Sequence, residues 1–319
     1  MTAAEQSRTA AEIATQPGCW RRAAKAVEAV GSGSAGALPR PGERVAVTGC
    51  GTSWFMAQSY AALREAAGQG ETDAFAASEF PAGRAYDRVM AITRSGTTSE
   101  VLGLLAHLRG RVPTTALTAD PATPVMETAE HTAVLDWADE ESVVQTRFAT
   151  TALALLRAGL ERHGAPPAGV KPVEQAAVDA ELAVVQPLPP AALEAEQWTF
   201  LGRGWTYGLA LEAALKMREA AGAWTEAYPA MEYRHGPIAI ARPGRAVWLL
   251  GSLPEGLSAD IARVGGALLA DSDCPGTGER ALDPMADLIR AQRLAVALAE
   301  ASGADPDRPR NLTRSVVLG

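Results

Sequence analysis

Lysine is nearly absent from this 319-residue sequence: Lys25, Lys171 and Lys216 are the only three, while arginine is abundant. Cysteine is as rare. Cys19, Cys50 and Cys274 are widely separated and odd in number, so they form neither a metal-spaced cluster nor a disulfide framework. That usage points to a reducing, cytoplasmic setting. No basic run or aromatic-basic patch offsets the net charge of −8, which argues against nucleic acid and against an anionic membrane surface as partners. No apolar run approaches the roughly 18 residues of a membrane helix. The opening "MTAAEQSRTAAEIATQPG" lacks the basic start and apolar core of a signal peptide.

Hydrophobic residues make up 47% of the chain, enough for a large core or for two ordinary domains. The segment through Val30 reads as helical, and "VGSGSAGALPRPG" as a turn-rich linker. Strand and helix signals then alternate. "RVAVTG", "TDAFAASEF", "VMAIT", "TTALTA" and "TAVLDWA" read as strands, with helices over Phe55–Ala67, after "VMAIT", in "TPVMETAE", and from about Val143 to Leu160. This alternation predicts an α/β fold with a parallel sheet flanked by helices.

"VVQPLPPAALEA" reads as a second, proline-rich linker, after which the pattern restarts. "WTFLGRGWTYGLALEAALKMRE" answers "VAVTGCGTSWFMAQSYAALRE", with Gly202 and Gly204 matching Gly49 and Gly51 at a spacing of roughly 150 residues. A duplicated domain follows, with "AVWLLGS" and "GALLADSD" as later strands and a last helix between Pro284 and Ser302. The expected boundaries are an arm and linker over 1–38, a first domain over 39–183, a linker over 184–195 and a second domain over 196–319.

Several strand ends are crowded with hydroxyls. Gly51-Thr52-Ser53 follows the first strand, Thr93-Arg94-Ser95-Gly96-Thr97-Thr98-Ser99 follows "VMAI", and Ser142, Gln145 and Thr146 precede the long helix. One such loop is an ordinary capped turn. Several at corresponding strand ends suit a phosphate held by hydroxyls, amides and helix N-termini. Neither glycine loop is a Walker motif or a complete dinucleotide fingerprint. On "LALEAALKMREAAG", Glu212, Lys216 and Glu219 fall on one helix face at i, i+4 and i+7. The spacing fits a solvated ion-pair ladder as well as a general base beside a cation. His235 precedes Gly236-Pro237, which sets it at a sharp turn.

Taken together, "GCGTS", "RSGTT", "LGRGWTYGLALEAALKMRE", "EAYPAMEYRHGP" and "DPDRPRNLTRSVVL" resemble the double sugar isomerase (SIS) domain family, in particular the isomerase half of glucosamine-6-phosphate synthase. The arm "AEIATQP" resembles that family's lead-in, so the likeness covers nearly the whole chain. It implies two tandem SIS domains, a flavodoxin-like or Rossmann-like sandwich each. It also implies a sugar phosphate held in the first domain by Gly51, Thr52, Ser53, Thr93, Arg94, Ser95 and Thr98, with Val143 lining the sugar through its backbone. Glu219 matches the carboxylate that moves a proton between C1 and C2, and Lys216 a lysine beside it. His235 matches a ring-opening histidine that reaches the neighbouring subunit's site, which implies a homodimer. No metal or other cofactor is implied.

The chain departs from the family at three points. Arg94 stands where the family has glutamine, presenting a guanidinium to the phosphate or a sugar oxygen. Arg314 stands where the synthase has its Schiff-base lysine. An arginine with a pKa above about 12 is a poor amine nucleophile, so Arg314 is expected to stabilise an enediolate or the C-terminal tail. The third is the absence of the synthase's glutamine-hydrolysing domain, without which ammonia from glutamine is not expected. These points favour a hexose 6-phosphate isomerase or an amino-sugar-phosphate deaminase. The alternatives are a phosphosugar-sensing module and an isomerase subunit dependent on a separate chain.

Overall fold

The computed structural model describes residues 6–32, 36–270 and 281–318. Cys274 and the end of the expected strand "GALLADSD" lie outside them. In chain order the elements are α1 (Arg8–Ala14), α2 (Gln16–Ser32), β1 (Val45–Gly49), α3 (Thr52–Ala66), β2 (Thr72–Ala76), β3 (Arg88–Ile92), α4 (Ser99–Leu108), β4 (Thr114–Thr118), α5 (Val125–Thr128), β5 (His131–Val134), α6 (Arg147–Glu161) and α7 (Val173–Val185). They continue with α8 (Pro190–Leu193), β6 (Gln197–Gly202), α9 (Thr206–Ala221), β7 (Thr225–Pro229), β8 (Arg245–Leu250), α10 (Leu257–Arg263), β9 (Ala267–Leu269) and α11 (Pro284–Ala301).

Two all-parallel sheets result, ordered β2-β1-β3-β4-β5 and β7-β6-β8-β9. The first four strands of the first sheet and the four of the second follow the same winding, so the repeated glycine motif marks a repeated topology. Central strands β1, β3, β4 and β6 are buried at every residue, as apolar runs covered on both faces must be. Edge strands β2 and β7 are half-buried beyond their first residue.

The glycines have one cause in both copies. A Cβ on Gly49 would come within 2.7 Å of Ser53 Cβ, and one on Gly202 within 2.6 Å of the Tyr207 amide nitrogen. The next helix starts directly over the strand end, and only glycine leaves room for it. Gly51 and Gly204 then turn the chain at φ of 53° and 56°, in the left-handed region.

The chain divides into two compact units that are not contiguous stretches. The first-sheet unit takes its described residues from Gly18–Glu140, Arg147–Glu174 and Thr313–Gly319. The second-sheet unit takes them from Met1–Pro17, Glu141–Thr146 and Gln175–Leu312. The division departs from boundaries at 39–183 and 196–319: the C-terminal tail goes with the first sheet, while α1, residues 141–146 and most of α7 go with the second.

In the first-sheet unit, α3 packs on β1, β2 and α6, and Ala91, Val101, Leu105, Ala116 and Val125 form a core beneath α4. In the second-sheet unit, α9 packs on β6, β7 and α11, with α1 also against α11. Among the described residues no helix is long and apolar enough to cross a membrane.

Two local expectations change. The N-terminal helix is two helices, broken at Thr15. The long helix begins at Arg147 rather than near Val143, because the buried Glu140 carboxylate accepts the amides of Arg147 at 2.6 Å and Phe148 at 3.3 Å and so caps it there.

Candidate active site

In a sheet wound 2-1-3-4-5, the chain leaves β1 and β3 on opposite sides, opening a crevice at their carboxyl ends. The two richest hydroxyl loops follow these two strands. Thr52 and Ser53 open α3, and Thr98 is the N-cap of α4. Thr52, Ser53, Thr93, Arg94 and Ser95 are all buried. The hydroxyls of Ser53, Thr93 and Thr98 make no hydrogen bond to another described residue, and Thr93 Oγ1 is fully enclosed. Hydroxyls beside two helix N-termini, buried at Ser53 and Thr93 and half-buried at Thr98, with no partner among the described residues, suit an anion.

Ser95 plays an internal part. Its Oγ accepts from the Thr97 amide at 3.3 Å and lies 3.0 Å from Thr97 Oγ1, which in turn lies 2.9 Å from Ser315 Oγ. Gly96, at φ 62°, folds the loop over α5, and its carbonyl accepts the Val125 amide at 3.1 Å.

Both arginine departures engage this loop in a way the sequence does not reveal. The Arg94 guanidinium is buried against Glu140 at 3.5 Å and donates to the backbone oxygen of Arg314 at 3.2 Å. Its charge is thus already balanced by a carboxylate. The Arg314 guanidinium pairs with Asp139 at 2.5 Å and donates to the Glu140 carbonyl. Beyond it, Val316 O accepts the Ser99 amide at 3.2 Å, and Ser99 Oγ accepts the Leu318 amide at 2.9 Å. The tail is laid along the hydroxyl loop.

The second-sheet unit carries the remaining residues. Lys216 and Glu212 on α9 are buried at 1% and 0% exposure, so the charged face is no solvated ladder. Lys216 Nζ lies 3.5 Å from Glu212 and donates to Glu219. A buried ammonium held between two carboxylates is a costly arrangement that persists only when tightly paired. Glu219, unlike the other two, lines an open cleft of about 760 Å³ together with Arg218, Gly222, Asp305, Arg308 and Arg310. Burial lowers the Arg218 pKa.

His235 ends a short 3-10 turn, Glu232–His235, followed by Gly236 at φ 138°. It is exposed and makes no hydrogen bond to another described residue. Val143 lies in the irregular segment before α6, and its amide donates to the Asp307 carbonyl at 3.2 Å. Ser142 is held by Glu12, a residue that sequence reasoning did not single out. Its only signal was a glutamate within the arm "AEIATQP". Among the described residues no three His, Cys, Asp or Glu side chains gather as a metal site.

Comparison with known proteins gives a consistent picture. No protein-family profile matches the chain. Curated relatives include the isomerizing glutamine–fructose-6-phosphate aminotransferase of Bradyrhizobium diazoefficiens, 27% identical over 86% of this chain and 52% of that protein. That of Methanothermobacter thermautotrophicus is 28% identical over the same shares. The chain spans about half the length of the curated relatives it matches.

Among solved structures, a glucosamine-6-phosphate deaminase from Thermotoga maritima superimposes with a TM-score of 0.76 at 23% identity, over 98% of this chain and 100% of that one. The C-terminal domain of the Francisella tularensis aminotransferase gives 0.74 at 19%, over 97% and 100%. A tagatose-6-phosphate ketose/aldose isomerase from Escherichia coli gives 0.77 at 19%, over 100% and 98%. At these identities the structures speak for the fold. The chain is a homologue of the isomerase half of the glutamine–fructose-6-phosphate aminotransferases and has the fold of SIS phosphosugar isomerases.

Proposed function

We propose that the chain is a phosphosugar enzyme built of two tandem SIS domains, isomerising a hexose 6-phosphate or deaminating a 6-phospho amino sugar through C1/C2 proton transfer. The observation that carries this reading is the set of uncommitted hydroxyls of Ser53, Thr93 and Thr98 at the β1/β3 crevice. An acidic protein can hold a phosphate there, because hydroxyls and helix amides need no basic surface. The names of the homologues and of the structural neighbours, all acting on sugar phosphates, point the same way.

The chemistry follows from the remaining residues. Gly51, Thr52, Ser53, Thr93, Ser95 and Thr98 form the phosphate loops, and Arg94 braces them through Glu140 rather than offering a free charge. Exposed and uncommitted, His235 is available to open the sugar ring at the site of a second copy, and a homodimer is part of this proposal. Glu219 takes the C2 proton of the open-chain sugar and returns it to C1, while Lys216 donates a hydrogen bond that orients its carboxylate. With glucosamine 6-phosphate, this shift leaves an imine at C2. Water adds to it and ammonia leaves, giving fructose 6-phosphate with no lysine Schiff base required.

The test is incubation with glucosamine 6-phosphate, reading ammonia and fructose 6-phosphate. Equal amounts of the two are expected. Glu219→Gln should lower turnover by about 10³-fold, within the range of general acid–base catalysis, while binding persists. Loss of binding in that variant would overturn the role given to Glu219.

A second reading is a non-catalytic phosphosugar sensor. It is favoured by Arg314, whose guanidinium is committed to Asp139 where the synthase has a reactive amine. The buried Lys216 held between Glu212 and Glu219 weighs against it, since a sensor has no use for a costly proton-transfer apparatus. Binding of sugar phosphates without turnover or proton exchange would favour the sensor.

A further inference from the structure

We infer that the amino end of the second sheet holds a binding site for a free α-amino acid, lined by Glu226, Arg245 and Trp224. Substrates of open parallel sheets sit at the carboxyl ends of the strands, and this cavity lies at the other end of its sheet. It has a volume of about 390 Å³, within the usual range for small ligands. Glu196, Gln197, Trp224, Glu226, Ile240 and Arg245 line it, and all six belong to the second-sheet unit.

The strand register brings the charged residues to one face. Gln197 on β6 pairs with Arg245 on β8, and Thr199, two residues on, pairs with Glu226 on β7. Residues two apart point the same way, so Glu226, Gln197 and Arg245 share a face at the starts of their strands. β7 and β8 flank β6, which sets the two charged residues on strands about 10 Å apart. A 3-10 turn, Pro237–Ile240, packs on the same face through Ile238. The Ile240 carbonyl accepts from Arg245 Nη1 at 2.7 Å, which holds the guanidinium and leaves its Nε edge for another group.

Two enclosed atoms here make no hydrogen bond to any described residue: Glu226 Oε2 and Arg245 Nε. No ion pair joins the two side chains either, although they carry opposite charges and line one cavity. Enclosed polar groups are costly until a partner meets them. Burial, and after it the charge of Glu226, raises the pKa of Tyr228 and pushes that of Tyr233 up to about 12, so this carboxylate acts on the interior.

A ligand that satisfies both atoms offers a cation to Glu226 and an anion to Arg245 across a short span. An α-amino acid does so with its ammonium and its carboxylate, the latter along the Nε edge of the guanidinium. The Trp224 indole, 79% exposed, stands at the cavity to cover the apolar stem of a side chain. Glu196 is exposed there as well, so two carboxylates face one guanidinium and a basic side chain fits better than an acidic one.

The test is calorimetric titration of the whole chain with L-arginine, L-glutamate and agmatine, which is arginine without its carboxylate. L-Arginine should bind with a Kd of about 1 mM or tighter, and about tenfold more tightly than either of the others. Glu226→Gln, which keeps the shape, and Trp224→Ala, at an exposed position, should each weaken it about tenfold. No binding of L-arginine at about 10 mM, or equal affinity for agmatine, would overturn the inference. Unchanged affinity in Glu226→Gln would overturn it too. Should that variant fail to fold, Trp224→Ala decides in its place, and unchanged affinity there has the same force. No sugar phosphate enters the titrations, so their outcome is separate from that of the phosphosugar reading.

Discussion

The guanidinium of Arg94 donates to the backbone oxygen of Arg314 at 3.2 Å, joining residues 220 positions apart in the sequence. Two arginines that the sequence reading singled out separately are thus in contact with each other. Arg94 is buried against Glu140, whereas the Arg314–Asp139 pair is about one-third exposed on each side.

The difference in burial makes the two arginines unequal. Arg94→Met breaks a buried pair and should cost about 3 kcal/mol in urea unfolding. It should also release the tail, read as faster amide exchange over residues 315–318. Arg314→Ala removes an exposed pair and should cost about 1 kcal/mol or less. Equal losses for the two variants would contradict the buried strut.

Gly96→Ala tests the hydroxyl loop sterically. At φ 62° an alanine is strained, and its Cβ would collide with Thr123 Oγ1 and come within 2.8 Å of Val125 Cγ1. The loop must then move off α5. Phosphate affinity should fall by about tenfold or more, with a stability loss of about 1–3 kcal/mol. An unchanged affinity by calorimetry would remove this loop from the anion site.

The Asp307 carboxyl supplies a pH signature. Burial alone would raise its pKa, but hydrogen bonds from the Thr9 hydroxyl and amide and from the Arg8 amide outweigh that and lower it. A depressed folded-state pKa contributes stability that is full above the unfolded value of about 4 and is lost as pH falls through the folded value. Wild type should therefore exceed Asp307→Asn by about 1–2 kcal/mol at pH 7, and the gap should close below about pH 4. A gap that persists in acid would show that packing, not charge, is responsible.

Much of the fold was legible because parallel strands buried on both faces leave apolar runs, and Gly49 and Gly202 are forced wherever a helix starts over a strand end. The final helix, expected between Pro284 and Ser302, is α11 over Pro284–Ala301. The hydroxyl loops were legible as loops. What stayed hidden was long-range. Nothing local says that Glu140 delays α6 to Arg147, that the tail lies on the first-sheet unit, or that Glu12 reaches Ser142 across 130 residues. The ladder of Glu212, Lys216 and Glu219 was correctly spaced but ambiguous, since periodicity locates a face without saying whether water covers it.

The central claim is that Glu219 moves a proton between C1 and C2 of a phosphosugar. The most direct measurement is proton NMR of glucosamine 6-phosphate with the protein in D2O, beside Glu219→Gln. The account expects loss of the C2 proton signal through deuterium exchange with wild type, followed by fructose 6-phosphate, and no exchange with the variant although the ligand lines still broaden. Broadening with wild type but no exchange, in this sugar and in fructose 6-phosphate alike, would contradict it and leave a binding protein.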